Sequence, residues 1–135
     1  MKHVLIALAL FMPVSAAHAA DKVGMTTLSV PAAHHGRDIK MGIMYPTDGG
    51  TQMMLGENPI FFGTTVYEKA KPLPGKHPVI LLSHGWGGNY TRMGWLGTGL
   101  AAKGAIIVAV NHPNSTTGDL NYQSALNHWT RAQDL

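Results

Sequence analysis

Two continuous apolar runs, separated by a glycine-rich turn and a helical segment, constrain the fold of this chain more than any other feature. Residues 79–82 and 105–110 lack the alternation of half-exposed strands, and such runs are typical of strands buried on both faces of a parallel sheet. Residues 92–103 have helical periodicity, and Gly104 stands where a helix-terminating glycine belongs. The apolar positions of this helix are Met93, Leu96 and Leu100. The order strand, loop, helix, strand predicts a right-handed βαβ unit.

The rest of the chain is less regular. Residues 25–30 and 39–45 have the apolar alternation of strands, and together they predict an antiparallel hairpin. Residues 47–75 are rich in glycine and proline, which favours a long loop, with a short extended piece at residues 60–62. Residues 119–135 are more polar and are predicted to be helical in part.

The N-terminus has the pattern of an export signal. A short basic start precedes the apolar residues 4–14, and Ala17-His18-Ala19 fits the small-x-small rule for cleavage. We therefore predict a signal peptide at residues 1–19, a domain at residues 20–135, and an exported protein that is periplasmic or secreted. The apolar run is too short for a membrane span, which needs about 20 residues.

Composition excludes several kinds of site. The chain has no cysteine, which excludes disulfides, thiolate catalysis and cysteine-ligated zinc. Its Lys and Arg residues are scattered singly, so no nucleic-acid partner is expected. The histidines at positions 34, 35, 77, 84, 112 and 128 match no zinc-ligand spacing, so no metal site is predicted.

The turn after the first apolar run carries the strongest chemical signal. It reads Ser83-His84-Gly85-Trp86-Gly87-Gly88, and we call it the 83–88 loop. Its glycines let the backbone turn sharply, and free N–H groups ahead of a helix attract negative charge. His84 is expected to brace the loop through hydrogen bonds, and Trp95 is expected in the core. A tight turn of some other α/β fold is the alternative.

The longer sequence around this loop resembles a known family. The match rests on residues 78–88, on Trp95-Leu96, and on residues 100–113, which end in Asn111-His112-Pro113. These segments resemble the dienelactone-hydrolase-like and platelet-activating-factor-acetylhydrolase-like α/β-hydrolases. The resemblance implies the N-terminal portion of an α/β-hydrolase fold, in which the βαβ unit belongs to a mostly parallel sheet. Asn111 stands where an Asp is common in the family.

The family resemblance also implies a chemistry. It makes the Trp86 backbone N–H an oxyanion donor, within an oxyanion loop that includes His84, Gly85, Gly87 and Gly88. It implies a serine hydrolase acting on small carboxylic esters or lactones, with no metal or organic cofactor.

The nucleophile of such an enzyme is expected in a Gly-x-Ser-x-Gly turn, and no such pattern occurs in the 135 residues. Ser83 precedes its turn and is not predicted to be the nucleophile. The acid and histidine of the triad are expected beyond Leu135, because they follow the serine in this fold. We therefore expect an inactive N-terminal fragment of a secreted hydrolase. The alternative is a secreted, non-catalytic binding domain that reuses half of the fold.

Overall fold

A computed structural model describes residues 19–135. The predicted signal peptide lies outside the described residues, apart from Ala19. The described chain contains eight strands and three helices. The strands are β1 Lys22–Ala32, β2 Arg37–Thr47, β3 Thr51–Leu55, β4 Thr64–Glu68, β5 Val79–Ser83, β6 Ile106–Val110, β7 Ser115–Thr116 and β8 Asp119–Leu120. The helices are α1 Gly94–Ala102, α2 Tyr122–Ala125 and α3 Thr130–Gln133.

Six strands form one mixed sheet in the order β3-β4-β1-β2-β6-β5. The predicted N-terminal hairpin is confirmed, since β1 and β2 pair antiparallel from Lys22–Thr47 to Ala32–Arg37. A 3-10 turn over Ala33–His35 connects them and ends at Gly36, whose φ of 64° favours glycine. β2 in turn pairs antiparallel with β6, which places the hairpin beside the βαβ unit.

The predicted βαβ unit is also confirmed. β5 and β6 are parallel, in register from Val79–Ile106 to Ser83–Val110, and α1 connects them. Gly104 follows the helix with a φ of 99°, as expected for a helix-terminating glycine. This unit and the hairpin together form part of an α/β-hydrolase fold.

The buried face of α1 differs from the prediction. The residues buried in the helix are small: Gly94, Gly97, Thr98 and Ala101. Met93, Leu96 and Leu100 are only partly buried, and Trp95, which was expected in the core, is 70% exposed. Close approach to the sheet explains the difference, because a Cβ atom on Gly97 would lie 2.6 Å from Met44 Sδ.

The prediction of a long loop over residues 47–75 is wrong. This region contains the antiparallel hairpin of β3 and β4, in register from Thr51–Glu68 to Leu55–Thr64. Its glycines lie at the ends of the strands, and threonine, valine and tyrosine within β4 favour a strand. The predicted extended piece at residues 60–62 instead belongs to the connection between these strands, where Phe62 is fully exposed.

The apolar sequence of β5 predicted that both of its faces are buried, and this prediction is wrong. Val79 is 61% exposed and Leu81 is 48% exposed. Among the described residues β5 pairs with β6 alone, so its other edge has no partner strand. The main core instead lies around β1, β2, β4, β6 and α1, with Met44, Val66, Ala101 and Ile107 fully buried. No helix of the described chain has the length and apolarity needed to cross a membrane.

Candidate active site

The 83–88 loop leaves the end of β5 and turns back toward α1. The Gly87 N–H donates to Ser115 O at 2.9 Å, and the Gly88 N–H donates to Gly85 O at 3.0 Å. The Trp86 N–H donates to no acceptor among the described residues. Gly87 has a φ of 70°, a conformation that favours glycine. The turn therefore leaves the predicted donor available while the N–H groups of the two following glycines are engaged.

The small hairpin of β7 and β8 holds this loop from the side of β6. The Thr117 N–H donates to Gly88 O at 3.0 Å, and the Thr117 hydroxyl donates to Gly87 O. A bridge pairing also joins Gly88 to Thr116. The sequence analysis did not predict this hairpin, whose strands are only two residues long.

His84 lies beneath the loop and is 4% exposed. Its Nδ1 lies 2.7 Å from Gly85 O, and its Nε2 lies 3.2 Å from the His112 N–H nitrogen. These partners fix a neutral ring that donates from Nδ1 and accepts at Nε2. The pKa of His84 is lowered, mainly because the ring is buried. The hydrogen bond to Gly85 raises this pKa, and the nearby His112 and Arg131 lower it further.

Asn111, at the end of β6, holds the chain that enters α1. Its Oδ1 accepts a hydrogen bond from the Tyr90 N–H at 2.7 Å. An amide oxygen is sufficient for this contact, because any carbonyl oxygen accepts from a backbone N–H. The asparagine in place of the aspartate expected from the resemblance therefore retains an acceptor for this N–H.

A hydrogen-bonded chain that sequence reasoning missed runs along the ends of β5 and β6. Ser83 Oγ lies 2.8 Å from His112 Nε2, and His112 Nδ1 lies 2.6 Å from Asp134 Oδ2. The order serine, imidazole, carboxylate is that of a hydrolase triad. His112 is only 1% exposed, so its ring is enclosed between the ends of the two strands and Asp134. This geometry favours a brace between the two strands.

Asp134, near the end of α3, is the centre of a larger cluster. Its Oδ1 lies 2.8 Å from His34 Nε2 and 2.7 Å from His35 Nε2. Burial alone would raise the pKa of Asp134, but the hydrogen bonds from His112, His34 and His35 outweigh it and lower the pKa. No local sequence signal connects these residues, because about 100 positions separate Asp134 from the two histidines.

Arg131 closes the same end of the sheet. Its guanidinium donates to His84 O and lies 3.2 Å from Ser115 Oγ and 3.5 Å from Ser83 Oγ. Beside it, the Trp86 ring packs at 5.2 Å from the Tyr122 ring. A cleft of about 270 Å³ lies next to Trp86, lined in part by Pro113, Ser115, His128 and Arg131. The loop thus borders a space for a small molecule.

The lowered pKa of His84 predicts a loss of stability in mild acid. The unfolded chain binds a proton below the ordinary histidine pKa of about 6.5, whereas the folded chain resists protonation at His84. The free energy of unfolding is therefore expected to fall as the pH decreases below about 6.5 and to level off below the lowered pKa. Urea unfolding across this range measures the slope.

The variant His84→Gln removes this titrating group and is expected to make the pH dependence shallower. The variant His128→Gln is the matched control, because His128 is exposed. An unchanged slope in His84→Gln would contradict the prediction.

Comparison with known proteins places this geometry in a family. The model of the family described as platelet-activating factor acetylhydrolase, isoform II, matches residues 51–128, more than half of the chain. Among solved structures, the chain is similar to a ferulic acid esterase from Streptomyces cinnamoneus, with a TM-score of 0.60 and 22% identity. The match covers 75% of this chain and 37% of the esterase, so the chain spans well under half of its length. The comparison with curated proteins found no match.

Proposed function

Since the chain belongs to the family of platelet-activating factor acetylhydrolase, isoform II, we propose that it supplies the oxyanion loop of an exported serine hydrolase. The substrates are small carboxylic esters or lactones. The Trp86 N–H binds the oxygen on which negative charge develops as the ester carbonyl is attacked. The 135 residues contribute this loop and its supports, and the nucleophile comes from sequence outside them.

The available N–H of Trp86 is the observation that carries this proposal. Ester hydrolysis is accelerated by fixed donors that point to the developing oxyanion. The N–H groups of Gly87 and Gly88 are already engaged by Ser115 O and Gly85 O, which holds the backbone in place directly after the Trp86 donor. A donor that needs no reorganisation during the reaction is the kind that stabilises a transition state most.

Two observations support an external nucleophile. The first is the position of Ser83, which is the last residue of β5 and precedes the turn, whereas the nucleophile of this fold lies at the turn itself. The second is the free edge of β5, where Val79 and Leu81 are exposed. A parallel strand paired there would end beside the 83–88 loop, because the carboxyl ends of parallel strands lie at one edge of a sheet. The nucleophile turn of this fold follows such a strand.

The test combines an assay with the coding DNA. The untagged 135-residue chain is expected to give no turnover of p-nitrophenyl acetate above background, with Ser83→Ala indistinguishable from it. The DNA that follows the codon for Leu135 is expected to encode a Gly-x-Ser-x-Gly turn. The product of the longer reading frame is then expected to hydrolyse the ester and to be blocked by a serine-directed inhibitor.

Two results would contradict the proposal. The first is the absence of a Gly-x-Ser-x-Gly turn in every downstream frame. The second is turnover by the 135-residue chain that is lost in Ser83→Ala, which would make Ser83 the nucleophile. Export is tested separately by N-terminal sequencing of the protein from the medium or periplasm, where cleavage is expected near Ala19.

A further inference from the structure

Two consecutive histidines and a buried carboxylate converge at one point beside the sheet. His34 and His35 lie in the turn between β1 and β2, and Asp134 follows α3. The two Nε2 atoms and one carboxylate oxygen all lie within 4.8 Å of one another. Convergence of two imidazoles from adjacent residues is unusual, because neighbouring side chains of an extended chain point in opposite directions.

The backbone of the turn explains this convergence. Residues Ala33–His35 form a 3-10 turn that ends at Gly36 in the left-handed conformation. The turn brings the rings of His34 and His35 to a centroid distance of 4.3 Å, at 45° to each other. Both rings direct Nε2 toward Asp134 Oδ1, at 2.8 and 2.7 Å. The cluster is therefore built by the fold and does not result from chance contact of mobile side chains.

We propose that this cluster is a binding site for a divalent transition metal of the zinc class. The protein ligands are His34 Nε2, His35 Nε2 and Asp134 Oδ1, and water completes a tetrahedral coordination. Two imidazoles and one carboxylate form a donor set that zinc accepts, with bonds of about 2.0–2.2 Å. Calcium and magnesium fit this site less well, because they favour sites made of oxygen ligands.

Metal binding requires both rings to move. Ligand atoms of a tetrahedral zinc ion lie roughly 3.3 Å apart at bond lengths of about 2.0–2.1 Å. Each Nε2 of the two histidines must therefore move about 0.5 Å away from the carboxylate oxygen, while the two Nε2 atoms, which lie within 4.8 Å of each other, settle at that same separation. In the metal-free cluster each ring donates an Nε2 proton to Asp134 Oδ1. On binding, each neutral ring releases that proton to water and takes a proton from water on Nδ1, so Nε2 presents its lone pair to the metal and no net proton is released.

The surroundings supply the support that a metal ligand needs. Asp134 has a side chain that is 1% exposed, and its second oxygen accepts from His112 Nδ1 at 2.6 Å. Carboxylate ligands are commonly held by such a hydrogen bond. The side chain of His34 is 27% exposed, which gives the ion a path from solvent and leaves room for the water ligand.

This site is distinct from the oxyanion loop and does not depend on the proposed hydrolysis. It is connected to the loop through His112, which contacts both Asp134 and Ser83, and Asp134 also lines the cleft beside Trp86. A bound metal would therefore stabilise the junction between the turn after β1 and the end of α3.

Direct binding to the untagged 135-residue chain tests the proposal. Isothermal titration with Zn²⁺ is expected to show one ion bound per chain, and Co²⁺ is expected to produce the intense visible absorption of a tetrahedral site. The variants His34→Gln and His35→Gln are each expected to weaken binding at least about tenfold, the lower end of the loss seen even for residues that only support a metal ligand. The matched control is His128→Gln, an exposed histidine outside the cluster, which should bind as the wild type does.

A measurement on the wild type alone guards against variants that fail to fold. Proton–nitrogen spectra of the histidine rings should show Zn²⁺ shifting two Nε2 resonances, which belong to His34 and His35. Absence of stoichiometric binding would overturn the proposal. So would equal binding by the two variants and the wild type, loss of binding in His128→Gln, or shifts confined to other histidines.

Discussion

Replacing Trp86 by proline is expected to lower the kcat of an active protein that contains this chain by about 100- to 1,000-fold, the usual cost of removing one oxyanion donor. Proline has no backbone N–H, so this substitution deletes the proposed donor itself. The preceding residue is Gly85, whose permissive backbone tolerates a following proline. The change is therefore directed at one atom of the loop.

The variant Trp86→Ala is the matched control. It removes the indole ring, which is 43% exposed and contacts Tyr122, but it keeps the N–H. Steady-state kinetics on p-nitrophenyl acetate should show a far smaller loss of kcat for alanine than for proline. Equal losses in the two variants would mean that the ring, and not the backbone donor, is what the reaction needs.

Replacing Met44 by alanine is expected to lower the free energy of unfolding by about 2–5 kcal/mol, the range for large-to-alanine changes in a core. Met44 has no exposed surface and lies where α1 meets the sheet. The facing helix offers little to fill the space, because Gly97, which lies directly against Met44, has no side chain. A cavity would therefore remain between helix and sheet.

The same substitution at Met54 gives the comparison. Met54 is 39% exposed on β3, so Met54→Ala should change the stability by much less. Urea unfolding followed by circular dichroism measures both variants. A loss at Met44 no greater than the loss at Met54 would place the core elsewhere than between α1 and β2.

Local patterns in the sequence were sufficient for the central part of the fold. Strand-type apolar runs, helical spacing and Gly104 predicted the βαβ unit, and alternation predicted the hairpin of β1 and β2. These predictions succeeded because each depends on residues close together in the chain. The β3–β4 hairpin was missed, because glycine and proline around it outweighed the short strand patterns of Thr51–Leu55 and Thr64–Glu68.

The packing face of α1 was mispredicted for a different reason. The prediction took the buried face from the spacing of the large apolar residues. The helix instead approaches the sheet so closely that small residues such as Gly97 and Ala101 form the contact. Its larger apolar residues are at most partly buried, and Trp95 is largely exposed. The separation between helix and sheet is a tertiary property that periodicity does not report.

The candidate site was predictable only in its backbone. The glycine spacing of the 83–88 loop predicted the turn, and the family resemblance implied the role of Trp86, since both depend on one short segment. The supporting side chains come from distant positions, as in the contacts of Ser83 with His112 and of Asp134 with His34. Such contacts depend on how the strands are ordered in the sheet, which no local pattern encodes.

The unpaired edge of β5 also affects how firmly the 83–88 loop is held, because the loop begins at the end of this strand. Val79 and Leu81 on this strand are exposed, and the backbone of β5 is hydrogen-bonded on one side only within the described residues. In the proposed hydrolase, a strand docked there would bury Val79 and Leu81 and give β5 a partner on its second edge. Completing the sheet would then also stabilise the strand from which the 83–88 loop begins.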